Sequence, residues 1–388
     1  MNIKETDKTY IAGTYNRFPV EIVSGKGSVV RDETGKEYID LGSGIGVTSF
    51  GIADELWQKA VTEQISKVQH TSNLYYTGPC ALLAEKLCTK TGMKKVFFSN
   101  SGAEANECAI KAARKYAAKK KGRDHFTIIT LENSFHGRTL TTLAATGQEH
   151  YHELFQPLTP GFAHVKAGDL EGFKKTAEET KAAGVLMECI QGEGGVIPLD
   201  RDFVRGVAEY AKAHDIVLMF DEVQTGNGRS GKLYAYMNYG VQPDVVSTAK
   251  GLAGGLPLGA TLLGEKLQDI FAPGDHGSTF GGNPVSCAAA ISILDRIDDR
   301  LLEDVNAKSR FIFDAFTGAA GVESIAGMGL MIGIKTAKPA SDVVKKCLEK
   351  GVLCLTAKDR VRLLPALNIP MDVLEKAVNI IKEVIAEP

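Results

Sequence analysis

The sequence predicts an α/β protein, a large domain with a mostly parallel sheet covered by helices, plus a smaller α+β domain built from both termini. Three observations predict it. The middle of the chain alternates short apolar, β-rich runs with longer helical patterns. Those runs are continuously apolar rather than alternating, as strands buried on both faces must be. The last hundred residues change character, mixing helical patterns with strand-like runs that are not arranged as repeating βα units. With 388 residues, the chain is also longer than one ordinary domain.

The elements follow in order. Strand-like runs at 20–23 and 37–41 are expected to join the C-terminal lobe. A helical stretch runs from Asp54 to about Val68. The run at 96–98 leads into a helix ending near Lys121, and further strands are expected at 127–131, 185–188, 216–220, 245–248 and 261–263. Beyond them, 329–334 and 361–364 read as strands around a helix at 341–350 that Gly351 closes. Val373, Leu374, Ala377, Val378, Ile381, Val384 and Ile385 form one apolar helix face. The expected division is 1–48 in the small domain, 49–289 in the large one and 290–388 in the small one again.

Charge excludes some partners. The 45 basic and 47 acidic residues nearly cancel, so no global field favours nucleic acid or an anionic membrane. No apolar run reaches the ~18 residues of a membrane span, and the first residues lack the apolar core of a signal peptide. Seven scattered cysteines without a Cys-x-x-Cys pair argue for reduced thiols in a cytoplasm, and neither structural zinc nor any other metal site is expected. His150 and His152 read as surface residues.

In doubly wound sheets, ligands sit beyond the carboxyl ends of the strands, so the polar residues there carry the argument. Asp40-Leu41-Gly42-Ser43-Gly44-Ile45-Gly46 looks at first like the glycine loop of an S-adenosylmethionine-dependent methyltransferase. That reading needs a second strand ending in an acid for the ribose, and none follows. The plainer alternative is a loop where backbone comes close to something else.

Three other elements are more informative together than apart. Ser101, Gly102 and Ala103 open a helix after a strand, where free N–H groups and small side chains suit a phosphate; Ser101 with Glu104 fits a capping box. Asp221-Glu222-Val223-Gln224 follows another strand, and its aspartate could hold a proton on a pyridine nitrogen. Lys250 follows a third strand and enters a glycine-rich loop; kept from water, its pKa would fall as imine chemistry requires. Singly these read as a capped helix, a capping aspartate and an ordinary lysine. Jointly they supply the phosphate anchor, the ring-nitrogen partner and the covalent lysine of pyridoxal 5′-phosphate.

With these residues in view, the chain resembles the class-III aminotransferases over essentially its whole length. The resemblance is carried by 16–20, 70–76, 101–106, 134–139, 191–195, Asp221 to Gln224, Lys250 and 277–284. It implies the fold-type-I architecture and ping-pong transamination. Within the family the likeness is greatest to members that take the δ-amino group of N-acetyl-L-ornithine and pass it to 2-oxoglutarate. Ornithine, 4-aminobutyrate and N-succinyl-diaminopimelate are the alternative donors. The resemblance also implies the roles. Lys250 holds the cofactor and shuttles the proton, Asp221 serves the ring nitrogen, Gln224 the phenolic oxygen, and Phe135 stacks on the ring. Glu222 and Val223 belong to the same cofactor-binding stretch. Thr279 reaches the phosphate of a neighbouring subunit, which implies a homodimer with shared sites. Arg138 binds a substrate carboxylate and Ser278 lines the substrate pocket. Arg362 is the second carboxylate-binding arginine, and Glu193 its removable partner. The chain departs from the family pattern at 51–55 and at Cys189, neither of which removes a group from the chemistry.

Overall fold

The computed structural model describes residues 2–387. Its central sheet has seven strands in the order Lys95–Ser99, Gly259–Leu263, Val245–Thr248, Val217–Asp221, Gly184–Met187, Ile128–Leu131, Phe162–Val165. Neighbours from Val245–Thr248 to Phe162–Val165 pair in parallel. Gly259–Leu263 runs antiparallel to both of its neighbours.

Both faces are covered, and the pleat shows how. Leu218 and Phe220 enter one apolar cluster, with Phe203, Val204 and Val207 of the helix Arg201–Ala213. Val217 and Met219 enter another, with Ala109, Ile110 and Ala113 of the helix Gly102–Lys120. Successive side chains of a strand point to opposite faces, so a strand buried on both must be continuously apolar.

A second core joins the chain ends. Ile39 and Leu41 pack with Val305, Ile312 and Phe316 and with Leu374, Ala377, Val378 and Ile381 of the helix Met371–Ala386. The strand Glu37–Asp40 pairs in parallel with Val352–Leu353. A separate four-stranded antiparallel sheet carries Arg360–Leu363.

Most expected elements lie within a few residues of their places. The first strand is shifted to Ile22–Lys26. The helix Ala340–Glu349 ends before Gly351, whose φ of 85° places it in the left-handed region. The helices Ile3–Tyr10 and Gly78–Thr91 and the strands Phe162–Val165 and Val322–Met328 are additions to the expected set. The glycine loop after Asp40 is a turn in which Ser43, Gly44, Ile45 and Gly46 all have positive φ. What it approaches is Gly251, where an added Cβ would lie 2.7 Å from Ser49 Oγ and 3.4 Å from Gly46 O. Backbone there meets the loop that begins with Lys250. No helix among the described residues is long and apolar enough to cross a membrane.

Candidate active site

Asp221 ends its strand with a buried side chain that continues the Val217–Met219 face, and so points toward the helix Gly102–Lys120. From that helix Asn106 Nδ2 donates to Asp221 Oδ2 at 2.7 Å. His136 Nδ1 lies 2.8 Å from the same oxygen, and Val223 N–H donates to Oδ1 at 3.0 Å. Asn106 is held in turn, accepting from Ser247 Oγ and donating to His136 O. Glu222 faces the other way, as period-two geometry requires. Its carboxylate accepts from Thr225 Oγ1 and from the N–H groups of Ala235 and Tyr236, outside the cavity that Asp221 lines. Burial pushes it up to about 7. Of the four residues expected in this stretch, Glu222 is therefore placed as a support and not as a contact.

The cavity has a volume of roughly 590 Å³ and gathers Lys250, Asp221, Val223 and Gln224 with Ser101, Gly102, Ala103, Phe135 and Arg138. Ser101 is the N-cap of the helix Gly102–Lys120, its Oγ accepting from Glu104 N–H at 3.2 Å. The expected capping box is displaced by one residue, because Glu104 accepts from the backbone N–H of Asn100 instead of from that of Ser101. The first helical turn has no intrahelical acceptors for its N–H groups. At Gly102 a Cβ would lie 2.6 Å from Val223 Cγ1, so the cradle admits no side chain there.

Lys250 adopts φ 46°, a left-handed conformation uncommon for a non-glycine residue and the kind of strain found at functional sites. Burial lowers its ammonium pKa below the ordinary lysine value, with Arg362 adding to the effect and Glu193, Asp221 and Glu188 opposing it. The Arg138 guanidinium lies over the rings of Tyr151 and Phe135, 4.2 and 5.5 Å from their centroids.

Beside the cavity, Arg362 Nη1 donates to Glu193 Oε1 at 2.5 Å and to Gln224 Oε1 at 3.2 Å, and Gln224 Nε2 donates to Glu193 at 3.3 Å. Burial would raise the Glu193 carboxyl, but Arg362 overrides it and holds the group below the usual range. This is not an exposed ion pair, since Arg362 is 4% exposed. Its Nε is buried without a partner among the described residues.

Ser278 and Thr279 are not in this cavity. They line a second one of roughly 500 Å³, with His70, Tyr75 and Tyr76. Asn100 connects the two, lining the first and donating to Ser278 Oγ at 3.2 Å.

The family profile Aminotransferase class-III matches residues 10–385. The chain belongs to the class-III aminotransferases. The acetylornithine aminotransferase of Haemophilus ducreyi is 49% identical over 99% of this chain and 98% of that protein. That of Methanocaldococcus jannaschii is 42% identical, again over 99% and 98%. Among solved structures, the ornithine aminotransferase of Toxoplasma gondii superposes with a TM-score of 0.94 at 29% identity, covering 99% of this chain and 93% of that one. The N-acetylornithine aminotransferase of Stenotrophomonas maltophilia does so at 0.85 and 32%, covering 98% of each. The methyltransferase alternative falls with the family match, which includes its glycine loop.

This class-III aminotransferase is a transaminase dependent on pyridoxal 5′-phosphate, and its cavity fits that cofactor. A helix N-terminus cleared of side chains at Gly102 faces the space where a phosphate is needed, and a buried carboxylate and a half-buried lysine line the same cavity. Bound there, the cofactor supplies an electron sink and carries the amino group from donor to acceptor. Reading the sequence missed Asn106 and His136 as supports of Asp221, Tyr15 at the cavity wall, and Glu188. Asn106 had a signal: a polar side chain on the alanine-rich face of an otherwise apolar helix contact.

Proposed function

We propose that this enzyme moves the δ-amino group of N-acetyl-L-ornithine to 2-oxoglutarate, giving N-acetyl-L-glutamate 5-semialdehyde and L-glutamate, as a cytoplasmic homodimer in arginine biosynthesis. The observation that carries the choice of donor is the 49% identity, over nearly the whole of both chains, to an acetylornithine aminotransferase. Ornithine is the second reading, favoured by the high structural likeness to an ornithine aminotransferase.

In this reading Lys250 Nζ, whose proton is loosened by burial, holds the cofactor and carries a proton between carbons. Asp221 keeps a proton on the ring nitrogen, with Asn106 and His136 fixing its carboxylate. Ser101, Gly102 and Ala103 receive the phosphate, Phe135 and Val223 flank the ring, and Gln224 holds its oxygen. Arg138 binds a substrate carboxylate in both half-reactions through its planar fork. Arg362 is paired with Glu193 while the donor reacts and receives a carboxylate of 2-oxoglutarate when Glu193 withdraws. The unpartnered Nε of Arg362 supports this, as a donor that the pairing with Glu193 leaves unused. Losing a partner costs a buried ion far more than an exposed one, so Glu193 and the incoming carboxylate must exchange places in one event. The exposed Leu74, Tyr75, Tyr76 and Phe280 near the Thr279 cavity support pairing with a second copy that places Thr279 in its partner's site. The shared core of Ile39, Leu41 and the C-terminal helix supports a small domain built from 1–48 and the C-terminal part, while Ala290, Ile293 and Leu294 of the helix Pro284–Leu294 pack in the large core and favour a second boundary after that helix rather than at 290.

A half-reaction screen tests the donor. Stopped-flow absorbance of the cofactor should bleach fastest per unit concentration with N-acetyl-L-ornithine, and a larger kcat/KM for ornithine or 4-aminobutyrate overturns the choice. Glu193→Ala should raise the rate with L-glutamate relative to acetylornithine, and an unchanged ratio would remove the gate while leaving the transaminase.

A further inference from the structure

Glu188 is a second acid at the cavity wall, and nothing above uses it. It directly follows the strand Gly184–Met187 and is 5% exposed. Its Oε1 accepts from Phe135 N–H at 2.9 Å and its Oε2 from Gly192 N–H at 3.1 Å. The two donors lie in different loops. One presents the Phe135 ring to the cavity. The other is the turn between Gln191 and Ile197 that carries Glu193. A Cβ on Gly192 would lie 2.7 Å from Gln224 Oε1, so this turn already rests against the amide that Glu193 and Arg362 share.

We propose that Glu188 is a positioning residue whose ionised carboxylate clamps the Phe135 loop and the Glu193 turn together, fixing at once the aromatic wall of the cavity and the register in which Glu193 meets Arg362. The proposal rests on the roles given above to Phe135 and Glu193. Its chemistry follows from counting donors. Two backbone N–H groups converge on one side chain, and each needs an acceptor, because an unpaired buried N–H is costly. An ionised carboxylate offers an acceptor on both oxygens. Glutamine offers one, and its NH₂ would face an N–H. A protonated carboxyl has the same defect, since its O–H must point somewhere among donors.

Protonation is within reach. Burial pushes Glu188 up to about 7; Asp221 adds to the rise, while His136 and the two N–H donors oppose it. The titratable groups around it are His136 from the Phe135 loop, Asp221 from the neighbouring strand, Cys189 next in the chain and Lys250 across the cavity. Acidification through this range neutralises the carboxyl while it stays buried, which removes the charge that holds both N–H groups and loosens the clamp inside the folded state.

The test is hydrogen exchange on the full-length holoenzyme, read at the segments containing Phe135 and Gly192. At about pH 8, Glu188→Gln should raise exchange about tenfold over the parent at the segment whose N–H then faces the amide NH₂, the scale of one lost hydrogen bond to a charged acceptor. Near pH 6, where the parent carboxyl is protonated, the two proteins should converge. The ratio of L-glutamate to amine-donor half-reactions should fall off in acid for the parent and stay flat for Glu188→Gln. A change at neither segment in Glu188→Gln, or at one alone in Glu188→Ala, overturns the clamp, as does an acid limb that survives unaltered in Glu188→Gln. Exchange tests the clamp without the gate, and Glu193→Ala tests the gate without the clamp, so the two can fail separately. If Glu188→Gln does not fold, the parent decides. Protection at both segments, corrected for intrinsic rates, should drop together as the pH falls through about 7, the value burial gives this carboxyl, and independent or absent transitions reject the proposal.

Discussion

Glu188 and Glu222 stand just beyond the ends of two neighbouring parallel strands, and burial pushes both carboxyls up to about 7. Their usual value when unfolded is about 4.3. Between roughly pH 4 and 7 the folded chain therefore binds more protons at these groups than the unfolded chain does, and stability falls as pH rises through that window. The melting temperature of the parent should drop between about pH 5 and pH 8, and Glu222→Gln should flatten part of that slope. The variant should be less stable throughout, because one amide oxygen cannot replace a carboxylate that accepts from Thr225, Ala235 and Tyr236. Parallel slopes in the two proteins would mean that Glu222 titrates as an ordinary acid. At this scale the sequence was legible where a residue type is rare for its place, as with Lys250 before glycines or Asp221 after an apolar strand. It was opaque for residues that act through others. Asn106, His136 and Glu188 bond to groups 115, 85 and 53 residues away, and no local pattern marks such partners.

The helix Gly102–Lys120 shows what an element adds. Its alanines suit both helix propensity and close packing on the sheet, so it was readable almost to its last residue. Its start does the chemical work: Ser101 caps it, Gly102 leaves the space below Val223, and about one turn later Asn106 meets Asp221. Gly102→Ala should weaken cofactor binding about tenfold or more, because the new Cβ meets a β-branched side chain with one stiff rotamer. Val223→Ala on top of it should recover much of the loss, since the colliding atoms are the Val223 methyl groups. Absorbance titration of the apoprotein with pyridoxal 5′-phosphate measures both. Parent-like affinity in Gly102→Ala would show that the phosphate does not sit against this turn. The strands that escaped the sequence have a physical reason. Phe162–Val165 is an edge strand with three partly or fully exposed positions, and Val322–Met328 has no fully buried residue, so neither shows the continuous apolar run of the inner strands.

Across the whole molecule, the joining of the chain ends was legible because the apolar face of Met371–Ala386 and the run ending at Leu41 each lack a partner of their own, and they bury each other. The separation of the site was expected only from the family resemblance, which gave Thr279 to a neighbouring subunit. Within one chain Lys250 and Thr279 line different cavities, which no spacing along the sequence could show. That separation makes a complementation experiment decisive. Lys250→Ala and Thr279→Ala chains, carrying different tags, are mixed, dissociated and reassociated, and the mixed dimer is isolated. If Thr279 serves the partner's cavity, one site of the mixed dimer has its own Lys250 and the partner's intact Thr279, while the other site carries both lesions. The mixed dimer should then show about half the parental kcat, from one site of undamaged composition, although each homodimer is impaired at both sites. If Thr279 instead serves its own chain, one site lacks the lysine and the other lacks the threonine. The mixed dimer would then do no better than half the Thr279→Ala enzyme, and the shared-site arrangement would be rejected.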